Sequence, residues 1–433
     1  MANLYNSHLF PPPALTIDFA GQDFRGYGVA GRSFEDLISF TRAGATAWTR
    51  RADGKFYAAA ENAPRWGEWA YNTTTGLLEP AGLLIEGART NLCLQSHRVD
   101  GLSPWALSGS PVLSSAGLNP LFVGKTPYKF TNDGAGSDRF AWQGIGALGS
   151  SPVTLSAIVE NIDAATTYLQ LRDNAAGGAV IVGTFTWTSG AFSGSVDKGT
   201  AGAWSAVKLS DVGPNGGKVY QLSVTATPSN AANLGYVRLY ATGATTNALS
   251  AIIHHAQFEV ASFPSSPILT DAAQVTRAAD VATVATAGWF ADGQAGTLLA
   301  DFVLPVVSNA VGQRVITLDN GASSSNRIGL KRDTDGSFYA TMTTGGATQV
   351  AFGSAMAASG SYKAAVAWNT NDIALYRGGV SVGTDATATL PVGLSVLQLG
   401  ASYSAGEAIF GHLRSLRYWP RRLSNTIIQA LTA

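Results

Sequence analysis

Tyr168-Leu-Gln-Leu-Arg172 alternates polar and apolar side chains without a break, and Tyr236-Val-Arg-Leu-Tyr240 repeats the pattern. Successive side chains of a strand point to opposite faces of its sheet. The leucines therefore face a core, and Tyr168, Gln170, Arg172, Tyr236, Arg238 and Tyr240 face the other way. Runs of similar length occur at Leu155-Ser-Ala-Ile-Val159, Val219-Tyr-Gln-Leu-Ser-Val224 and Ile252 to Val260. Turn residues separate these short strands and no helical stretch intervenes, which predicts an antiparallel sandwich over residues 93 to 270.

A second block, residues 281 to 433, has the same period of two. Its strands are read at Leu298-Leu-Ala-Asp-Phe-Val-Leu304, Val315-Ile-Thr-Leu318, Arg327-Ile-Gly-Leu-Lys331, Phe338-Tyr-Ala-Thr-Met342, Tyr362 to Trp368 and Ile373-Ala-Leu-Tyr376. Ser424 is placed to cap a closing helix that buries Ile427, Ile428 and Leu431. Residues 21 to 92 read as a small β-rich connector. Asp53-Gly54 makes a hairpin turn between Ala47-Trp-Thr49 and Lys55-Phe-Tyr57, and Ser33-Phe-Glu-Asp36 has the form of a capping box. Residues 1 to 20, with Pro11-Pro-Pro13, read as an extended arm or as a frayed terminus before a first strand at Leu15, Ile17 and Phe19. The fold class expected is all-β, with several antiparallel sandwiches.

Composition narrows the function. Charged residues are 13% of the 433-residue chain, against about 25% in ordinary soluble proteins, so the surface is built from Ser, Thr, Asn, Gly and Ala. Twenty-eight Lys and Arg balance 28 Asp and Glu, leaving no global field to attract nucleic acid or anionic lipid. No run approaches the roughly 18 apolar residues that would predict a membrane-spanning helix. The start of the chain lacks the basic and apolar regions of a secretory signal. The single Cys93 has no partner for an intrachain disulfide and is expected to be a buried thiol.

Chemical motifs are few. Gly26-Tyr-Gly-Val-Ala-Gly31 matches the dinucleotide fingerprint in form, but that fingerprint works only between a strand and a long helix. Gly379-Val-Ser381-Val-Gly383 matches a nucleophile elbow in form, yet it lies in a hairpin strand. Adjacent His254 and His255 should point to opposite faces, one to core and one to solvent, and so not share a metal ion. Glycoside cleavage needs two carboxylates across a groove; the acids here, Asp133, Asp138, Asp173, Asp211, Asp319, Asp333 and Asp335, are sparse and mostly at turns, and no pair is singled out by the sequence. No catalytic residue, metal or cofactor is expected. Arg414, Arg417, Arg421 and Arg422 form a basic patch suited either to an anionic polysaccharide or to ion pairs across a subunit contact.

Gly82-Leu-Leu-Ile-Glu-Gly-Ala-Arg-Thr-Asn-Leu92 stands before the middle block. Phe263-Pro-Ser-Ser-Pro-Ile-Leu-Thr270 and Val275-Thr-Arg-Ala-Ala-Asp280 stand after it. With Phe40-Thr-Arg42 and Pro64-Arg-Trp66, these phrases resemble those of phage virion fibre and spike proteins. The resemblance implies a jelly-roll like that of carbohydrate-binding modules, ending in His255-Ala-Gln-Phe-Glu259, and a concanavalin A-like or laminin G-like sandwich at the C-terminus. It also implies a homotrimer, contacts to other virion proteins through the N-terminal arm, assembly in the host cytoplasm, and exposure on the released particle. The partner outside the particle would be a host-surface polysaccharide.

Aromatic rings beside amide and guanidinium donors suit a sugar, so Tyr168, Gln170, Arg172, Tyr236, Arg238 and Tyr240 form the candidate glycan face. The same residue types suit packing on another subunit or domain. Tyr403, in the loop between Leu399-Gly400 and Gly411, is a second candidate, since lectins of this shape often bind at that rim; the alternative is a loop that merely closes the sandwich. A purely architectural subunit and a polysaccharide depolymerase are the competing readings. Arg89 and Arg277 read as ties between modules.

Overall fold

A computed structural model of the chain describes residues 12–26, 29–44, 46–174, 178–404 and 407–433. Among these, strands dominate and only two short helices occur, Phe34–Leu37 and Asn425–Thr432. The chain is all-β, with multiple antiparallel sheets.

The middle block builds two six-stranded sheets. The front sheet runs Ala106–Ser108, Phe140–Ala147, Leu234–Tyr240, Thr166–Asp173, Gly178–Thr186, Ala191–Val196. The back sheet runs Val112–Ser114, Tyr128–Thr131, Ser250–Glu259, Val153–Asn161, Val219–Pro228, Gly199–Ser210. Between them Leu169, Leu171, Val237 and Leu239 meet Leu155, Val159, Leu222, Val224 and Phe258 in one core. The alternation in the quoted strands is thus the signature of a half-buried sheet. Cys93 is fully buried, and burial pushes its thiol pKa up.

The back sheet does not alternate. Every residue of Ser250–Glu259 is buried, as are the first eight of Val153–Asn161. The cause is a second layer: Trp48 and Phe56 of the Ala47–Arg50/Phe56–Ala59 hairpin, with Leu121 and Phe122, pack on Ile158 and Val219. His254 and His255 are therefore both inside, 3% and 2% exposed. This corrects the expectation that one would face solvent. A register shift at Ile158/Val159 also passes over His254, so strict alternation does not govern the pair.

The remaining strands form a larger sandwich. Its ten-stranded sheet runs Val29–Arg32, Asp23–Gly26, Leu15–Asp18, Gly411–Trp419, Gly296–Leu304, Gly360–Asn369, Asp372–Arg377, Val380–Asp385, with Leu77–Ile85 on Gly411–Trp419 and Arg65–Asn72 on Leu77–Ile85. The opposing seven-stranded sheet runs Ala347–Ala355, Ser337–Thr344, Arg327–Arg332, Gln313–Asp319, Val396–Leu399, Val281–Ala285, Ser39–Thr41. Residues from before the middle block thus complete both sheets. This departs from the separate arm and connector expected at 1 to 20 and 21 to 92. Leu15 and Ile17 are fully buried because Leu15–Asp18 pairs with the C-terminal strand, Ile17 opposite Leu416. Most of the expected arm falls on residues outside those described.

Both expected caps form. Ser33 and Asp36 make the reciprocal bonds of a capping box, Asp36 N to Ser33 Oγ at 3.3 Å and Ser33 N to Asp36 Oδ2 at 2.7 Å. Ser424 Oγ accepts from Ile427 N at 3.4 Å. The helix it starts buries Ile428 against Leu299, Ala365, Tyr376 and Trp419 on the outside of the ten-stranded sheet. Ser424→Ala is expected to cost about 1 kcal/mol, read as a lowered midpoint in urea unfolding.

The two formal motifs have ordinary explanations. Val29–Arg32 is a strand and the helix after it is a single turn, so no dinucleotide site follows Gly26; Tyr27 and Gly28 lie outside the described residues. Ser381 sits inside the strand Val380–Asp385, after a turn made by Gly378 and Gly379 at positive φ.

The phrases that frame the middle block converge on one buried charge cluster. Asp280 accepts from Arg42 Nη1 at 3.1 Å, Arg65 Nη2 at 2.6 Å and Glu86 N at 2.9 Å. Glu86 Oε2 lies 2.9 Å from Arg65 Nη1 and 3.0 Å from Arg277 Nη1. Ser266 donates from N and Oγ to Glu86 at 2.8 and 2.5 Å, and its Oγ accepts from Arg65 and Arg277. Burial would raise the Glu86 carboxyl, but Arg277 and Arg65 hold it at about 2. Arg89 stacks over Phe410 at 4.3 Å and Phe263 at 5.2 Å. Arg277 and Arg89 are ties between the two sandwiches.

Candidate functional site

Two antiparallel pairings build the front sheet's outer face. Thr166–Asp173 and Leu234–Tyr240 place Tyr168 opposite Tyr240, Gln170 opposite Arg238, and Arg172 opposite Tyr236. Each inward neighbour is anchored in the core, so the six outward side chains stand in a fixed grid. Phe140–Ala147 adds Trp142 opposite Arg238, and Phe140 on the same face. The structure therefore brings all six expected front-face residues together and adds two aromatic rings that the sequence reading passed over.

Contacts within the grid are specific. Gln170 Oε1 accepts from Arg238 Nη1 and from Tyr240 OH, both at 3.3 Å. Gln170's amide nitrogen has no protein partner among the described residues. The Arg238 guanidinium lies 4.6 Å over the Phe140 ring. Phe140 and Tyr240 are 4.7 Å apart, Trp142 and Tyr236 5.1 Å, and Tyr168 and Tyr240 5.9 Å. Burial raises the Tyr240 phenol, so it stays a neutral donor at physiological pH. The result is a platform of four partly exposed rings, with Tyr240 buried among them and one amide and two guanidinium groups between. Ring faces can stack on the apolar face of a sugar, and the amide and guanidinium can bond its hydroxyls.

Tyr403 is separate. It is 40% exposed, follows the strand Val396–Leu399 in the larger sandwich, and is not part of the front-sheet grid. Three of the four C-terminal arginines lie near acids. Arg422 Nη2 pairs with Asp372 at 2.9 Å, and Arg414 and Arg417 act on Asp301.

Other polar groupings are sealed or shallow. Glu160 Oε2 lies 2.9 Å from His254 Nε2 and also accepts from Asn215 Nδ2 at 2.9 Å, while Oε1 accepts from Asn215 N and Gly217 N at 2.8 and 3.0 Å. A carboxylate and histidine in a cleft would suggest acid–base work; these side chains are 0% and 1% exposed and fix the 213–217 loop. A cavity of about 170 Å³ lies between the Asp53-Gly54 turn and Val212–Pro214, where Asp53 is bonded to Lys55 N and Tyr57 OH. Among the described residues no group of three or more His, Cys, Asp or Glu is placed to hold a metal ion.

Residues 279–429 match the family described as the concanavalin A-like lectin/glucanases superfamily. That segment supplies most strands of the larger sandwich, which is a concanavalin A-like, laminin G-like domain. No curated protein matches the chain. Among solved structures, the Ruminococcus gnavus IT-sialidase CBM40 is 15% identical with a TM-score of 0.29, over 33% of this chain and 84% of that one. The Limulus polyphemus SAP-like pentraxin is 10% identical with a TM-score of 0.26, over 32% and 70%. The LG4-5 domains of the mouse laminin alpha1 chain are 11% identical with a TM-score of 0.23, over 79% and 91%. At these scores the neighbours add nothing to the site.

Proposed function

We propose that this protein is an adhesion subunit of a phage virion appendage, a tail fibre, spike or related part, and that it binds host-surface glycan through the outer face of the front sheet. The observation that carries the binding reading is the contrast between the two middle sheets. The back sheet is roofed by Trp48, Phe56, Leu121 and Phe122, whereas the outer face of the front sheet leaves Phe140, Trp142, Tyr168 and Tyr236 partly exposed with Gln170 and two arginines, and Tyr240 buried among them, on a core-anchored grid. The virion reading rests on the framing phrases. With it come the homotrimer, docking on other virion proteins through the N-terminal residues, and exposure on the released particle.

A glycan array probed with the intact protein tests the binding reading. Tyr168→Ala with Tyr240→Ala is expected to weaken the leading glycan at least about tenfold, with sedimentation showing unchanged assembly. Equal affinity in the double variant would remove the front face as the site. Assembly lost together with binding would make the same face a subunit contact, in an architectural protein. Antibody labelling of released particles tests the virion reading, which fails if the protein stays with the cell debris.

A further inference from the structure

The front face carries a guanidinium, that of Arg238, with no ion pair to a carboxylate among the described residues. Reading outward positions across its strands gives Ala106 and Ser108, Phe140 and Trp142, Tyr236, Arg238 and Tyr240, Thr166, Tyr168, Gln170 and Arg172, Val182, Thr184 and Thr186, then Ala191, Ser193 and Ser195. Arg238 stands near the middle of that face, and the outward strand positions just named hold no carboxylate. The acid that acts on Tyr240 is Asp138, at the rim just before Phe140–Ala147. Some arginines elsewhere are paired with acids, Arg422 with Asp372, Arg42 and Arg65 with Asp280, Arg277 with Glu86, while Arg332 and Arg377 bond backbone carbonyls. Arg238 has no ion pair among the described residues; it contacts Gln170 Oε1, the Phe140 ring and the Tyr240 phenol.

We propose that the glycan recognised here is acidic, and that its sugar carboxylate is received by Arg238. This rests on the glycan-binding reading above. The Phe140 ring and Gln170 Oε1 hold the guanidinium in place before any ligand arrives, so a two-pronged bond to a carboxylate costs little ordering of the arginine. Gln170 offers its free amide hydrogens to a neighbouring hydroxyl. Trp142 and the tyrosines take the ring faces. A neutral sugar would use the same aromatic rings but leave the arginine charge unanswered.

The test uses the full chain in 150 mM salt, as buffered against about an 8 Å Debye length. Binding is measured to oligomers of polygalacturonate, alginate and hyaluronan, each beside its carboxyl-reduced counterpart. At least one acidic oligomer should bind, and its reduced form should bind at least about tenfold more weakly. Arg238→Gln should lose the same factor toward the acidic form and little toward the reduced one. Arg25→Gln, an exposed arginine on the larger sandwich, should change nothing. Equal binding of acidic and reduced forms, or array hits confined to neutral glycans, would overturn the acidic assignment and leave glycan binding standing. Equal losses in Arg238→Gln and Arg25→Gln would reduce the effect to diffuse charge and overturn it too. No binding on the array or to any oligomer would overturn both readings.

Discussion

Asp280→Ala is expected to destabilise the protein by about 3–5 kcal/mol, because removing one partner of a buried ion cluster strands the others. Asp280 is 1% exposed, and Arg42 and Arg65, also 1% exposed, both bond to it. Alanine would leave two guanidinium groups in the interior with one fewer anion and would orphan the Glu86 amide that Asp280 Oδ2 accepts. Repulsion compounds the loss, since Arg42, Arg65 and Arg277 already act on one another. Asp280→Asn keeps most of the shape and some hydrogen bonds, so it should fall between wild type and alanine. Urea unfolding reads both as a shift in midpoint at constant slope. A loss under about 1 kcal/mol for Asp280→Ala would mean that the cluster admits water and behaves as a surface pair.

That cluster gives the framing phrases a physical meaning. Its members come from positions 42, 65 and 86 before the middle block and 266, 277 and 280 after it. The strands Arg89–Asn91 and Val275–Arg277 pair beside it, Thr90 bonding Thr276 at 2.7 Å. The chain leaves the larger sandwich and returns to it through this one crossing, with the jelly-roll inserted between. Residue types that look like a site, three arginines and two acids, are here the fastening of an insertion. The face proposed for binding is one that the fastening does not touch.

How far each part could be read follows from where its partners lie in sequence. The front sheet was legible because its inward residues are Leu and Val and its outward ones Tyr, Gln and Arg, so the period of two is visible within five residues. Phe140 and Trp142 obey the same period, but their inward neighbours are Ala141 and Gln143, the latter 2% exposed and bonded to Leu94. Without a large apolar residue on the inner face, that strand does not declare its direction. The back-sheet histidines were misread because the roof over them comes from Trp48 and Phe56, some 200 residues earlier. Leu15–Asp18 was visible as a strand, yet its partner begins at Gly411, a pairing no local pattern encodes. Ser33 and Ser424 were readable as caps because a cap is settled within four residues.

Gly82→Ala is expected to be the second severe substitution, costing about 2–6 kcal/mol from backbone strain and overpacking of about 1–3 each. Gly82 opens the first framing phrase and has φ of +103°, a conformation that L side chains rarely adopt. A Cβ there would stand 2.1 Å from the Leu413 carbonyl oxygen and 2.8 Å from its carbon. Those atoms are backbone, in the strand whose Gly411, His412 and Leu413 pair with Ile85, Leu84 and Leu83, so no rotamer change can relieve the clash. Relief would have to part Leu77–Ile85 from Gly411–Trp419 and open the core where Leu83, Ile85 and Leu413 meet. Gly76→Ala is the matched control: φ is +72°, but its Cβ meets only the Tyr71 hydroxyl at 3.8 Å. It therefore carries the strain of about 1–3 kcal/mol without the collision. The difference between the two variants in urea unfolding measures what the close approach of the strands demands of position 82. If alanine at 82 costs no more than alanine at 76, the glycine is there for its torsion angle alone.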